Sequence, residues 1–430
     1  MRNAFFLCVC TLFFIEMGVK AQQAPTPSPW ENPFSQAKFV PDISLILDGS
    51  FVYRNVKNHE LEHLWIPGLQ HAQAEEAQHG HSHAGLNAQN GFNFNYGELA
   101  ISSVVDPYFN LTGIFHLSEN GIEIEEGYFT TRQLPYGLQL KGGKFLSAFS
   151  RTNEQHSHVW DFANPPLVQK VFFGEEGFNE KGIQCTWVAP MSMFWMLGTE
   201  VLSGENELSF GKEGFHDPLE TIHIPEKDMP NCVTGFTRTS FEWKDFICLV
   251  GISSALGESR IGHGMDVSGV EGHGVKAKTQ IWGGEVTVKY PMDPIRYVSF
   301  QGEYRYRKMD GTLYEKDNQD AIVQSDLIKK QSGGYGQVVF KYGLRSRVGL
   351  RYDQVHENNV WQNGLPMPLP HRMYRVSVMA EFNPTEFSRI RFQYSWDHSL
   401  YKEESLRAKP VHEWLIQYNL SIGAHGAHPF

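Results

Sequence analysis

Histidine is the side chain best suited to hold a transition metal at neutral pH, and this chain carries 19 of them. His59, His63, His71, His79, His81 and His83 crowd into one short stretch. Within it, His79-Gly80-His81-Ser82-His83 alternates imidazole with small residues, so a pliable backbone can wrap an ion. Neutral imidazole is a common ligand for zinc, copper and nickel. His156 and His158 form a second alternating pair, and Glu75, Glu76 and Asp161 offer oxygen ligands. Because His-rich tracts are compositional metal signals, the eight histidines just named are the candidate ligand set, with Zn²⁺ as the expected ion. The run His59-Glu60-Leu61-Glu62-His63 also fits H-E-x-x-H, the zinc-protease pattern in which Glu is the general base. That chemistry needs both histidines on one helix face and a third ligand. Here the motif follows a strand directly and Pro67-Gly68 breaks it off, so a non-catalytic ion site is the better reading. No G-x-S-x-G occurs, and the Gly-rich residues 262–274 lack the Lys-Ser/Thr ending of a phosphate-binding loop. No enzyme is expected.

Composition narrows the scaffold that must carry these groups. A disordered chain would lack 30 Phe, 17 Tyr and 10 Trp. A pI of 5.9 argues against nucleic acid as a partner. Past the N-terminus there is no apolar run of the roughly 18 residues that a membrane helix needs. Residues 1–21 read as a secretory signal peptide, with Arg2 as the positive region, Ala4 to Ile15 as the apolar region and Val19-Lys20-Ala21 before the cut. Residues 22–40 read as a Pro-rich periplasmic segment. Cys185, Cys232 and Cys248 remain, an odd set at wide spacing that is neither a disulfide framework nor a zinc–cysteine site.

From residue 41 to residue 430 one unit recurs: about ten residues of period-two alternation, then a turn or loop. Val348, Leu350 and Tyr352 alternate with Arg347, Arg351 and Asp353, and Ile390, Phe392, Tyr394 and Trp396 alternate with Arg389, Arg391 and Gln393. A soluble sandwich also alternates. Aromatic ends to the apolar faces, short connections alternating with long ones, and a final amphipathic strand in phase with Phe430 favour the membrane. The expectation is an all-β protein: a transmembrane outer-membrane β-barrel of about sixteen antiparallel strands, with short periplasmic turns and long extracellular loops. The strands are placed at 42–54, 91–105, 108–117, 121–131, 137–146, 181–189, 193–202, 232–243, 246–255, 278–290, 296–307, 334–343, 346–354, 372–382, 388–396 and 412–424. Long loops are placed at 55–90, 147–180, 203–231, 256–277, 308–333, 355–371 and 397–411. Most of the histidines then lie in outer loops.

Sixteen strands leave an aqueous channel, whereas a plugged barrel of about 22 strands would need some hundreds of further residues. The 147–180 loop is long enough to fold inward and constrict that channel. Arg305, Arg307, Arg347, Arg351, Arg375, Arg389 and Arg391 are expected to line the pore, with Glu303, Asp353 and Glu381 interspersed. A charged ring of one sign would select ions of the other; a salt-bridged porin wall is the plainer reading.

Several stretches resemble a known family: Val40-Pro41-Asp42-Ile43-Ser44-Leu45, Glu62-His63-Leu64-Trp65-Ile66-Pro67-Gly68, Val105-Asp106-Pro107-Tyr108-Phe109 and Leu140-Lys141-Gly142-Gly143-Lys144-Phe145. So do His158-Val159-Trp160-Asp161-Phe162, Asn179-Glu180-Lys181-Gly182 and the closing Gly423 to His428. The family is that of zinc-regulated TonB-dependent outer-membrane receptors of Gram-negative bacteria. The resemblance implies metal uptake, expression tied to zinc scarcity and TonB-type energy coupling, and it highlights His63, His79, His81, His83, His156 and His158. Phe430 resembles the assembly signal read by the outer-membrane barrel assembly machinery. The function expected is therefore a channel or receptor in the outer membrane for divalent metal, zinc first, captured by His-rich loops. The alternatives are a general or anion-preferring porin and a surface-binding barrel.

Overall fold

A strand with one apolar and one polar face is stable in lipid only when no backbone edge is left open, and closing the ladder on itself meets that demand. A computed structural model describes residues 41–68, 85–119, 121–370, 372–402 and 406–423, and there the chain makes that closure. Sixteen long strands follow one another around a single antiparallel barrel. They are β1 (Asp42–Arg54), β2 (Gly91–Val104), β3 (Phe109–Ser118), β4 (Gly121–Thr131), β5 (Leu138–Leu146), β6 (Asn179–Val188), β7 (Phe194–Leu202) and β8 (Cys232–Trp243). Then come β9 (Phe246–His263), β10 (Gly272–Pro291), β11 (Tyr297–Lys316), β12 (Ile322–Lys341), β13 (Ser346–Gln362), β14 (Met373–Thr385), β15 (Ser388–Asp397) and β16 (Val411–Gly423). Each strand pairs with the next, and β16 pairs with β1 from Ser44↔Gly423 to Arg54↔Glu413, which closes the ring. Phe430 lies outside the described residues.

The sixteen expected strands are all present, but three expected loops are much shorter than placed. Strands β10, β11 and β12 run for 20 residues each, and β9 and β13 also continue past their expected ends. Loops placed at 256–277, 308–333 and 355–371 therefore shrink to 264–271, 317–321 and 363–372. His263, His273 and His356 sit in strands, as does His412. Charges such as Lys276, Lys308, Asp310 and Lys330 hide the alternation there. One apolar cluster on the inner face, Val275, Ala277, Met309, Leu327 and Val360, nonetheless marks the continuing strands. At about 3.3 Å per residue these strands far exceed the roughly 25 Å apolar band of an outer-membrane barrel, so their outer halves stand clear of it.

Outward side chains form the apolar belt: Phe300, Leu350, Phe392, Trp414 and Ile422 are exposed. Neighbours in sequence point inward, with Arg351 and Arg391 buried. Tight turns join the strands at the other end. In the turn between β10 and β11, one Asp293 oxygen accepts the N–H groups of Ile295 (2.9 Å) and Arg296 (2.6 Å), and the other accepts Arg296 Nε (2.6 Å). These donors hold the Asp293 carboxyl down at about 2. A lowered carboxyl stabilises above its ordinary range and stops doing so as pH falls through the folded value. Protection of the Ile295 and Arg296 amides from exchange is therefore expected to persist from neutral pH down to about pH 2, and Asp293→Ala should lower it over that range.

The interior holds residues 147–178. Phe145, Phe149, Phe162, Phe172, Phe173 and Phe178 are buried, and the short helix α1 (Leu167–Phe173) lies against β11, β12 and β13. This segment has no sheet partner, so the wall's side chains take up its backbone groups. Glu200 accepts Ala148 N–H at 2.8 Å, Glu303 accepts Thr152 N–H at 2.8 Å and Asp353 accepts Leu167 N–H at 2.9 Å. Arg351 donates to the Asn164 carbonyl at 2.9 Å and Arg391 to that of Trp160 at 2.6 Å.

Among the wall glycines, Gly143 leaves no room for a side chain. Gly143, on β5 with φ +137, would place a Cβ 2.1 Å from the Gly127 carbonyl oxygen and 2.8 Å from Tyr128 Cα, both backbone atoms of β4. Gly143→Ala should destabilise the barrel by about 1–3 kcal/mol. A lower urea midpoint in detergent checks this.

Candidate functional site

Three adjacent wall strands and the inward segment bring six titratable side chains together. Glu98 comes from β2 and His116 from β3. Glu125 and Glu126 come from β4, where the register shifts: Ile114 faces Glu126 and Phe115 faces Ile124, which leaves Glu125 as the extra residue of a β-bulge. A bulge turns a side chain out of strict alternation, and here it lets two consecutive glutamates serve one site. The inward segment supplies His156 and His158, with Ser157 between them donating to Tyr96 Oη at 2.7 Å.

The geometry is tight. His156 Nδ1 lies 3.1 Å from Glu125 Oε2 and 3.5 Å from Glu98 Oε2, and its Nε2 lies 2.9 Å from Glu126 Oε2. His158 Nδ1 is 3.1 Å from Glu98 Oε2, and His116 Nε2 is 2.7 Å from Glu125 Oε2. The His116 ring stacks on Tyr96 at 4.8 Å and that of His156 on His158 at 5.8 Å. Burial disfavours a charged His156, but Glu125, Glu126 and Glu98 outweigh it and lift the imidazole well above the ordinary histidine range. A cavity of about 370 Å³ reaches His116, Glu125 and His156, and Glu119, Glu123 and Glu176 also line it. Three carboxylates facing three imidazoles can hold protons or a cation. Among the described residues, Glu98, Glu125 and His156 bring three ligand atoms within 4.8 Å of one another.

The structure separates the ligands proposed from sequence. His156 and His158 join this cluster. His59 and His63 are exposed at a single helical turn too short to carry a two-histidine face: it runs only Asn58–Leu61, and Glu60 lies 3.5 Å from Lys409. His71, His79, His81 and His83 lie outside the described residues, as do Glu75 and Glu76. Asp161 pairs with Arg347 at 2.6 Å. Glu98, His116, Glu125 and Glu126 went unread in the sequence. The alternation of Ile122 and Ile124 with Glu123 and Glu125 announces an acidic strand face, but the bulge that brings both glutamates to one place leaves no such mark.

The arginines face inward, and carboxylates meet most of them. Arg305 pairs with Glu303 (2.9 Å), Arg351 with Asp353 (2.8 Å), Arg375 with Asp353 (3.4 Å), and Arg347, Arg391 and Arg389 surround Glu381 at 2.6, 2.9 and 3.9 Å. Arg307 instead donates to Gln331 and to the Leu208 carbonyl, with its guanidinium 4.8 Å from the Phe172 ring centre.

No family model matches the chain. Over 399 residues it is 48% identical to an uncharacterized protein of Aquifex aeolicus (strain VF5), a match that covers 93% of this chain and 82% of that one. Its fold is similar to OprB of Pseudomonas putida (TM-score 0.52, 8% identity, 90% of this chain and 95% of that one). It is also similar to an anion-selective porin from Comamonas acidovorans (TM-score 0.51, 8% identity, 89% and 100%) and to OmpT of Vibrio cholerae (TM-score 0.51, 10% identity, 90% and 99%). The barrel with its apolar belt thus has the fold of Gram-negative outer-membrane barrels.

Proposed function

We propose that this chain, which belongs to one family with the Aquifex aeolicus protein, is a porin-like channel for small hydrophilic solutes, narrowed by its own residues 147–178. The observation that carries the reading is a polar, charged interior closed within an apolar belt, a layout that serves passage rather than packing. The arginines do not form a ring of one sign, because Glu303, Asp353 and Glu381 lie among them. Weak ion preference is therefore expected, unlike the anion selectivity in the name of the Comamonas protein. The test is planar-bilayer recording of the refolded chain under a salt gradient. Stepwise conductance with a reversal potential near zero supports the reading. A folded barrel that never conducts overturns it and favours a surface-binding role.

A second reading is uptake of divalent metal, zinc first, with His-rich residues 55–90 as the capture loop. TonB-type energy coupling and regulation by zinc scarcity belong to it. Its support is the meeting of His156 and His158 with wall carboxylates, which would give an ion a station inside the barrel. Zinc entry into liposomes in preference to magnesium, lost when residues 70–85 are removed, would support it; equal flux of both ions would sink it.

A further inference from the structure

We propose that Glu98 Oε2, Glu125 Oε2 and His156 Nδ1 bind one divalent transition-metal ion, which ties the inward segment to the barrel wall. The inference needs the barrel and its inward segment but neither conductance nor uptake.

Donors around a tetrahedral ion with bonds of about 2.0–2.2 Å stand roughly 3.3–3.6 Å apart. The separations of His156 Nδ1 from Glu125 Oε2 and Glu98 Oε2, 3.1 and 3.5 Å, are close to that spacing. His116 Nε2, 2.7 Å from Glu125 Oε2 and 3.9 Å from Glu98 Oε2, is placed to complete the set after a small shift. A metal-bound imidazole usually gives its other N–H to a carboxylate, which fixes the tautomer and turns the free lone pair to the ion. His156 has that arrangement: Nε2 lies 2.9 Å from Glu126 Oε2, so Nδ1 is the nitrogen left for a ligand bond. His158 at 3.1 Å steadies Glu98 in the same way. Nitrogen with oxygen donors suits zinc-like ions, whereas all-oxygen sites suit magnesium and calcium. Three carboxylates in one buried place also need positive charge, which a divalent ion supplies without requiring every imidazole to carry a second proton. The adjoining cavity, lined by Glu119, Glu123 and Glu176, gives the ion a negatively charged approach.

The ligands divide between wall and segment, so occupancy has a mechanical consequence. Glu98 and Glu125 are fixed in the ladder, and His156 rides on the segment that fills the lumen. A bound ion makes withdrawal of that segment cost a metal–nitrogen bond.

The test uses full-length refolded protein in detergent, with His71, His79, His81 and His83 all replaced by Ser to remove the other histidine tract. Co²⁺ serves as the spectroscopic probe and Zn²⁺ as its competitor. The expected result is one Co²⁺ per chain with ligand-field absorption, displaced by Zn²⁺ and untouched by Mg²⁺. His156→Ala and Glu125→Gln should each abolish that absorption, and Glu126→Gln should weaken binding about 10–100-fold while the band persists. Hydrogen exchange over residues 155–160 should slow when Zn²⁺ is added and should not respond in the His156→Ala variant. No stoichiometric uptake by a barrel that still shifts on unheated gels, or uptake indifferent to His156→Ala, would overturn the proposal. Recording conductance on the same samples keeps the two ideas apart: steps without metal binding defeat this inference alone, and binding without steps defeats the channel reading alone.

Discussion

Cutting residues 150–176 out of the chain and joining the ends with a short flexible linker should raise single-channel conductance about threefold or more. A sixteen-strand barrel without an inward segment leaves an aqueous lumen. Here Phe149, Phe162, Phe172 and Phe173 occupy that space, with Arg351 4.7 Å from the Phe162 ring centre and Arg305 5.1 Å from that of Phe173. The ladder does not depend on the segment, since every strand is bonded on both sides by another strand. The freed guanidinium and carboxylate groups would meet water, which satisfies them at little cost. Planar-bilayer recording measures the change, and a salt gradient should show ion preference shifting as the arginines become accessible. A folded deletion variant with the conductance of the parent would mean that solutes do not pass through the space the segment occupies.

Glu381→Ala should lower stability by about 3–5 kcal/mol, the usual cost of removing one partner from a buried charge cluster. The Glu381 carboxylate accepts Arg347 Nε at 2.6 Å, Arg347 Nη2 at 2.9 Å and Arg391 Nη2 at 2.9 Å, and Arg389 stands 3.9 Å away. Without it three guanidinium groups face one another, with Asp161 still paired to Arg347. Glu381→Gln should fall between parent and Ala, because the amide oxygen still accepts while the charge is gone. Urea unfolding followed by tryptophan fluorescence in detergent gives the three midpoints. If Glu381→Ala unfolds with the parent, water reaches that layer of the barrel and screens it.

The barrel was written plainly in the sequence. Residues such as Val348, Leu350 and Tyr352 alternate with Arg347, Arg351 and Asp353, and lipid outside with charge inside leaves them no other arrangement. The lengths of β9 to β13 were hidden for a related reason. Above the membrane both faces of a strand can be polar, so Lys276, Lys308 and Lys330 read as loop although the ladder continues through them. The cluster at His156 was half legible. Alternating histidines mark a ligand tract, but Glu98, His116 and Glu125 enter from three successive strands, and only their pairing register and the inward fold of the segment carrying His156 make them neighbours. Arg347 and Asp161 show the same limit: an acid that looked like an ion ligand is taken by a guanidinium nearly two hundred residues away.

The way the inward segment is held also fixes the order in which the molecule can be made. Its backbone groups are taken up by Glu200 on β7, Glu303 on β11, Asp353 on β13 and Arg391 on β15, positions that span most of the circumference. That set exists only once the later strands have joined and β16 has met β1. Residues 147–178 precede all four of these side chains in the chain, so they must wait, solvated, until the ring is shut. Docking of Trp160 and its neighbours is then the last event of assembly, and a nascent barrel arrested before closure would be leakier than the finished protein.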